Sequence, residues 1–447
     1  MKATIIAATH DLSNVSDEGI LQENKTFSGK MAGICYQKDK YFGSSVSDPE
    51  KAAKRFAKVA STGHHSIADH TFVTVLFEDI SKFLAMILNN TNFYNTSEKS
   101  GRYTVMEGNS AREKELYNKW LAKFHELILK EYPDYDDDFL QEKLCAVHSF
   151  VKVINGRTNN AMCNEILNDF KEHNESLPSR KLAQENARYV LSVFTRSTTM
   201  AFTTSLRQWN YIYDWCNDAI ARCESRGTKF YEEVKSDLEF LADFISVNLY
   251  VNELRDIKGR HFSMLLDLYK DVDPLDKYDF EKDDHYGFAY STSYDTSFVA
   301  LAQEHRHRTL NYYMFFNPEE EHCFYRPEIL YHGDKFLMDE WLDDLRSIED
   351  IYPQATKVDV IETGTLPDFA LKCKERLCGR AQHETMRNVS NIVDSFAAEY
   401  KSLTKCEQLM VDEFTDAYGY PKTKCQMLSQ CKEPCYWGCQ KALTRYV

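Results

Sequence analysis

Arg306-His307-Arg308 places two guanidinium groups and an imidazole at consecutive positions. A guanidinium offers a planar fork of donors that matches phosphate oxygens, and an imidazole beside it has a tunable charge. Such a run suits a phosphate-bearing anion better than a core; the alternative is a solvated basic patch at a helix end. Further on, Arg376, Arg380, His383 and Arg387 fall at i, i+4, i+7 and i+11. One continuous helix from about Leu366 to Phe396 would set all four on one face, lining an anion pocket or pairing with acids in solvent. Glu384, four residues after Arg380, is spaced to pair with it on that helix. His64, His65 and His70 also cluster, as do Cys425, Cys431, Cys435 and Cys439. The histidines lack a ligand triad of known spacing and the cysteines lack C-x2-C pairs, so no metal site is expected and the tail reads as a thiol-rich docking segment.

These side chains need elements to hold them. Arg306-His307-Arg308 follows the apolar-rich Ser297–Ala302, which reads as a short helix. Thr71–Phe77, Thr198–Thr204 and Val358–Thr363 are rich in β-branched or aromatic residues and read as strands, and the short apolar run in Met1–Thr9 reads as a first strand. Ile80, Phe83, Leu84 and Ile87 have helical spacing, and Phe230–Leu254 reads as one amphipathic helix. Helices and strands mix without regular βαβ alternation, so the expected class is α+β.

At 447 residues the chain is comfortable for two domains. Its net charge of −15 argues against bulk nucleic acid while leaving room for a local basic pocket. No window reaches the roughly 18 apolar residues of a membrane span, and the N-terminus lacks the pattern of a signal peptide. Thirteen cysteines without framework spacing read as reduced thiols in a cytoplasmic protein. Asp271–His285, charged and carrying Pro274, is the linker candidate, and the second half echoes the first.

Gly63-His64-His65-Ser66-Ile67-Ala68-Asp69-His70, Ser97-Glu98-Lys99-Ser100-Gly101-Arg102-Tyr103 and Glu185-Asn186-Ala187-Arg188-Tyr189-Val190-Leu191 in the first half, with Gln303…Arg306-His307-Arg308 and Arg376–Arg387 in the second, resemble the motifs of the flavin-dependent thymidylate synthase (ThyX) family. Those motifs run G-H-x-S-x-x-E-H, Q-x-x-R-H-R, S-x-R-Y, E-x-A-R-x-x-L, T-x-N-A-R and L-R-x-C-x-x-A-Q-x-E-I-R. The resemblance implies two tandem repeats, 1–255 and 256–447, each partly eroded. Asn90-Thr91-Asn92 stands where the first copy should read R-H-R, and Cys216 where it should carry the late arginine. Glu349 replaces the second copy's E-x-A-R arginine, and no S-x-R-Y follows Asn311-Tyr312-Tyr313. The losses are complementary, as expected if one composite site draws on both repeats.

The resemblance implies reductive methylation of dUMP with FAD, NADPH and methylenetetrahydrofolate. Arg102 and Arg188 would hold the phosphate with Ser100, Gly101 and Glu98 alongside, Gln303 and Arg306 would reach the nucleotide, and Arg376 would stabilise charge developing on the uracil. Arg306, His307, Arg308, His64, Ser66 and Glu98 would contact FAD. Against that, the flavin-side asparagines are Ser205 and Thr365, then Tyr211 and Leu371. Since the family is tetrameric, two chains would rebuild it as a homodimer. The alternatives are a non-catalytic nucleotide-binding relic, or a related one-carbon transfer such as hydroxymethylation of a pyrimidine nucleotide.

Overall fold

The structure is a computed structural model, and it describes residues 1–9, 19–34, 48–90, 94–101, 104, 108–155, 160–173, 177–255, 289–427 and 435–447. Arg102 and Tyr103, the expected linker and the repeat boundary, and Cys431 lie outside the described residues.

The chain begins with strand β1 (Lys2–Ala8), helices α1 (Ile20–Gly33) and α2 (Pro49–Ser61), and a 3₁₀ helix His65–His70. Then come β2 (Phe72–Ser81), α3 (Lys82–Asn89), β3 (Tyr94–Glu98), α4 (Ala111–Glu131), α5 (Asp137–Asn155), α6 (Asn160–His173) and α7 (Pro178–Ala187). A 3₁₀ turn, Arg188–Val190, leads to β4 (Arg196–Ser205), α8 (Leu206–Arg226) and α9 (Lys229–Asn248). The second half holds β5 (Ala289–Ser297), α10 (Phe298–Glu304), β6 (Asn311–Phe315), α11 (Leu337–Arg346), the 3₁₀ turn Glu349–Ile351, β7 (Lys357–Thr365), α12 (Leu366–Arg376), α13 (His383–Ala398) and α14 (Lys405–Phe414). The class is α+β, with antiparallel strand pairs among helices.

Two compact units emerge, and each draws on both sequence halves. One comprises residues 1–99, 193–278 and 311–321, the other 100–192, 279–310 and 322–447. In the first unit, four strands pair in the order β1-β2-β4-β3, all antiparallel. Alternation along β4 sends Met200 and Phe202 into the core, where Phe202 meets Trp209 of α8. Phe83 of α3 packs edge-on against Phe230 of α9. The expected helix here begins later than its spacing implies, because Ile80 belongs to β2 and pairs with Thr198. Ser81 then starts α3 by accepting a hydrogen bond from the Leu84 amide.

In the second unit, β5 and β7 pair antiparallel from Ala289↔Thr365 to Ser297↔Lys357. Its core joins Trp120 and Phe124 of α4 to Trp341 of α11, with ring centroids 4.7 and 5.5 Å from Trp341. Trp120 Nε1 donates to Asp344 at 2.9 Å, which satisfies the indole of a fully buried ring.

An order of elements recurs. Strand, short helix and strand (β2-α3-β3), followed later by helix, 3₁₀ turn, strand and helix (α7, 188–190, β4, α8), reappear as β5-α10-β6 and α11, 349–351, β7, α12. The caps recur as well. Ser81 and Ser297 cap α3 and α10, and Ser205 and Thr365 cap α8 and α12. Ser81 Oγ donates to buried Asp237 on α9, and Ser297 Oγ donates to buried Glu384 on α13 at 2.6 Å.

Candidate functional site

The second unit gathers most of the expected site residues at the end of α10, where Gln303 and Glu304 close the helix and His305 to Arg308 turn away from it. The turn is held by His307 N–H donating to Glu304 O at 2.9 Å and Leu310 N–H donating to His307 O at 3.1 Å. It leaves Arg306 and Arg308 exposed and buries His307. Burial, with the Arg376 and Lys372 charges nearby, pushes the His307 pKa down to about 2. The ring is therefore neutral at working pH, and its buried Nε2 has no hydrogen-bond partner among the described residues.

Arg188 opens the 3₁₀ turn after α7 and is buried. Its Nη2 donates to Gln382 Oε1 at 2.6 Å, and Gln303 Nε2 donates to the same oxygen at 2.5 Å. Arg376 Nη2 donates to the Gln303 carbonyl at 3.4 Å. One amide side chain, Gln382, thus ties a first-half arginine to the second-half pair Gln303 and Arg376. Gln382 is itself steered by its Nε2, which donates to Tyr189 OH at 2.5 Å, while Tyr189 OH donates to Glu384 Oε2 at 2.6 Å. Glu384 also accepts from Ser297 N–H at 2.8 Å.

The basic stripe is corrected. The expected continuous helix breaks after Arg376, and residues 377–382 form a loop before α13. Gly379 lies tight in that loop, for a Cβ there would meet Trp437 Cβ at 2.8 Å and Cys435 Sγ at 3.0 Å. The four basic residues consequently part company. Arg376 faces Gln303, Arg380 is exposed, His383 contacts the Arg445 carbonyl at 2.8 Å, and Arg387 pairs with Glu328 at 2.8 Å. Glu384, spaced to pair with Arg380, instead turns inward to Ser297 and Tyr189.

Ser100 and Gly101 belong to the same unit, and Ser100 O accepts from Thr104 Oγ1 at 2.7 Å. His64, Ser66 and Glu98 belong to the first unit. His64 and Ser66 are exposed at the start of the 3₁₀ helix, whereas the Glu98 carboxylate takes Lys82 Nζ and Asn89 Nδ2, the latter at 3.0 Å. Asn90 Nδ2 donates to the Tyr312 carbonyl at 3.3 Å, a structural use of a position where the motif has arginine. Asp69 accepts from Ser205 Oγ at 2.8 Å and Arg207 Nη1 at 2.9 Å, joining the opening motif to the start of α8. Among the described residues no group of three or more His, Cys, Asp or Glu is arranged to hold a metal ion.

Sequence reasoning left several of these residues out of the site. Gln382 and Glu384 stood inside the A-Q-x-E-I-R match, and Tyr189 inside E-x-A-R-x-x-L, so the signal existed. Glu304, Glu362 and Lys372 had no signal, because charged residues at those spacings read as solvent-facing.

Residues 21–234 match the family model of the thymidylate synthase complementing protein. That stretch belongs to the flavin-dependent thymidylate synthase (ThyX) family, whose members are FAD-dependent enzymes; the match ends before Arg306. No curated protein matches the chain at a significant level. Among the described residues, no helix is long and apolar enough to cross a membrane.

The donor set fits FAD on one side only. Arg306, Arg308 and the open Nε2 of His307 suit an anionic, hydrogen-bonding cofactor. At the asparagine positions, Ser205 and Thr365 spend their hydroxyls on helix caps, and Leu371 offers no polar group.

Proposed function

We propose that the chain is a fused, two-repeat thymidylate synthase that methylates dUMP to dTMP at a composite site, with methylenetetrahydrofolate giving the one-carbon unit and NADPH the hydride. The observation that carries this reading is the shared Gln382 oxygen, which joins Arg188 of the first repeat (1–255) to Gln303 of the second (256–447) and, through the Gln303 carbonyl, to Arg376. Those are the groups that the complementary losses leave intact. The recurring element order, with its paired caps and buried carboxylates, supports the duplication.

In this reading Arg188, Arg102, Ser100 and Gly101 bind the nucleotide phosphate, and Gln303 and Arg306 orient the base. Arg376 sits as a fixed cation where negative charge develops on the uracil, an electrostatic service worth most where water is scarce. FAD, when bound, relays hydride from NADPH. Toward it this chain offers Arg306, His307 and Arg308. Because His307 is neutral, it serves as a hydrogen-bonding group rather than a charge. The assembly is a homodimer of cytoplasmic chains.

The helix-cap use of Ser205 and Thr365 favours a second reading, a nucleotide-binding protein that has lost the flavin. Tritium release from [5-³H]dUMP, assayed with FAD, NADPH and methylenetetrahydrofolate, separates the two. Turnover that needs all three supports the synthase. Tight dUMP binding with no release, and no flavin absorbance retained after desalting, supports the relic. Failure to bind dUMP at all refutes both.

A further inference from the structure

A group of charges lies behind the site, and none of the family's motifs requires it. Lys372, Glu304 and Glu362 are each wholly buried. Glu304 falls on an unspecified position of Q-x-x-R-H-R. Lys372 Nζ touches Glu304 Oε2 at 3.3 Å and also Glu362 Oε2. Tyr294 OH lies within hydrogen-bond reach of both carboxylates, 2.8 Å from Glu362 Oε2, and shares its one proton between them. Asn388 Nδ2 donates to Glu304 Oε1 at 3.0 Å, and Tyr290 OH to Glu362 Oε1 at 3.0 Å. All four carboxylate oxygens are therefore occupied. Burial opposes the Lys372 charge, yet the two carboxylates hold its pKa above the ordinary value.

Buried ion clusters add little net stability over apolar residues of equal volume, while breaking one is costly. What this hub supplies is register. It joins β5 (Tyr290, Tyr294), α10 (Glu304), β7 (Glu362), α12 (Lys372) and α13 (Asn388). Lys372 lies one helical turn before Arg376. The links from Lys372 to Glu304 and from Arg376 to the Gln303 carbonyl fasten successive turns of α12 to the last two residues of α10. The Glu304 carbonyl in turn holds the His307 amide.

We propose that Lys372, through Glu304 and Glu362, is the positioning residue that fixes Arg376 and the Arg306-His307-Arg308 turn in one geometry for an anionic nucleotide. The nucleotide part of this proposal rests on the function proposed above. The positioning part stands on its own.

The test compares the native chain with K372M/E304Q/E362Q, which removes every hub charge while keeping volume, and with K372M alone. Hydrogen exchange reads the segment 303–310, and calorimetry reads dUMP. The charge-free hub is expected to fold with native circular dichroism, lose protection in 303–310, and bind dUMP about tenfold or more weakly, as expected when a charged contact is displaced. Adding R376A should then cost the charge-free hub far less affinity than it costs the native chain. Native protection in 303–310, or native affinity in the triple variant when the native chain binds dUMP, overturns the proposal. If the native chain does not bind dUMP, the nucleotide reading fails, and exchange alone decides whether the hub positions the turn.

Discussion

Arg188→Met removes a charge from the site while keeping a buried, unbranched side chain. In the native chain Arg188 Nη2 donates to Gln382 Oε1 at 2.6 Å, and its Nε donates to Glu185 O at 3.1 Å. Gln382 Oε1 keeps Gln303 as a donor after the substitution, so the variant leaves no orphaned acceptor there. Its fold should therefore survive, with a stability loss of about 1 to 2 kcal/mol. Toward dUMP the loss is a charge-assisted hydrogen bond to phosphate, about 1.5 to 3 kcal/mol, or roughly a 10- to 150-fold rise in Kd. Isothermal titration at fixed salt reads this directly, since phosphate contacts weaken as ionic strength rises. Deoxyuridine, which lacks the phosphate, is the control, and native and variant should bind it alike. A variant Kd for dUMP within twofold of native refutes the phosphate role. An equal loss for dUMP and deoxyuridine moves Arg188 from the phosphate to the base.

Asp237 offers a pH test of the first unit. Burial raises its pKa to about 7 from the ordinary 3.8. The folded chain keeps a proton there that the unfolded chain sheds, so this contribution is full below about pH 4 and is lost as pH rises through 7. Urea denaturation should show D237N gaining on the native chain by about 3 to 4 kcal/mol between pH 4 and pH 8; a constant gap refutes the assignment. The Cε1 carbon resonance of His307 should keep its neutral shift from pH 8 down to pH 4, and a midpoint near 6.5 would contradict its burial. Gly379→Ala should lower stability by about 1 to 3 kcal/mol in a thermal melt, because the new methyl meets Trp437 and Cys435. An unchanged melting temperature would mean the loop after α12 yields freely.

Local sequence determined most elements. The strands at Phe72–Ser81, Arg196–Ser205 and Lys357–Thr365 lie where β-branched and aromatic content places them, and the helix at Lys229–Asn248 starts where 3.6-residue periodicity places it but stops short of Leu254, which falls in a separate 3₁₀ turn, Asn252–Leu254. The motif spacings also carried the family, because glycine, arginine and histidine at fixed offsets encode chemistry whatever the fold does around them. The break between α12 and α13 was not legible. Nothing local to 377–382 forbids helix, and it is Trp437 and Cys435, distant in sequence, that crowd Gly379. The basic stripe failed for that reason, since periodicity assumes a continuous helix. Nor could sequence place Arg188 and Gln303 on one Gln382 oxygen, because that meeting depends on tertiary pairing between distant stretches, such as Gln354 N–H on Leu191 O at 2.7 Å and Ala355 N–H on Tyr189 O at 2.9 Å. Lys372, Glu304 and Glu362 are the sharpest case. Each reads alone as a surface charge, and only tertiary packing, by setting opposite charges and hydroxyls within hydrogen-bond reach, makes their burial tolerable.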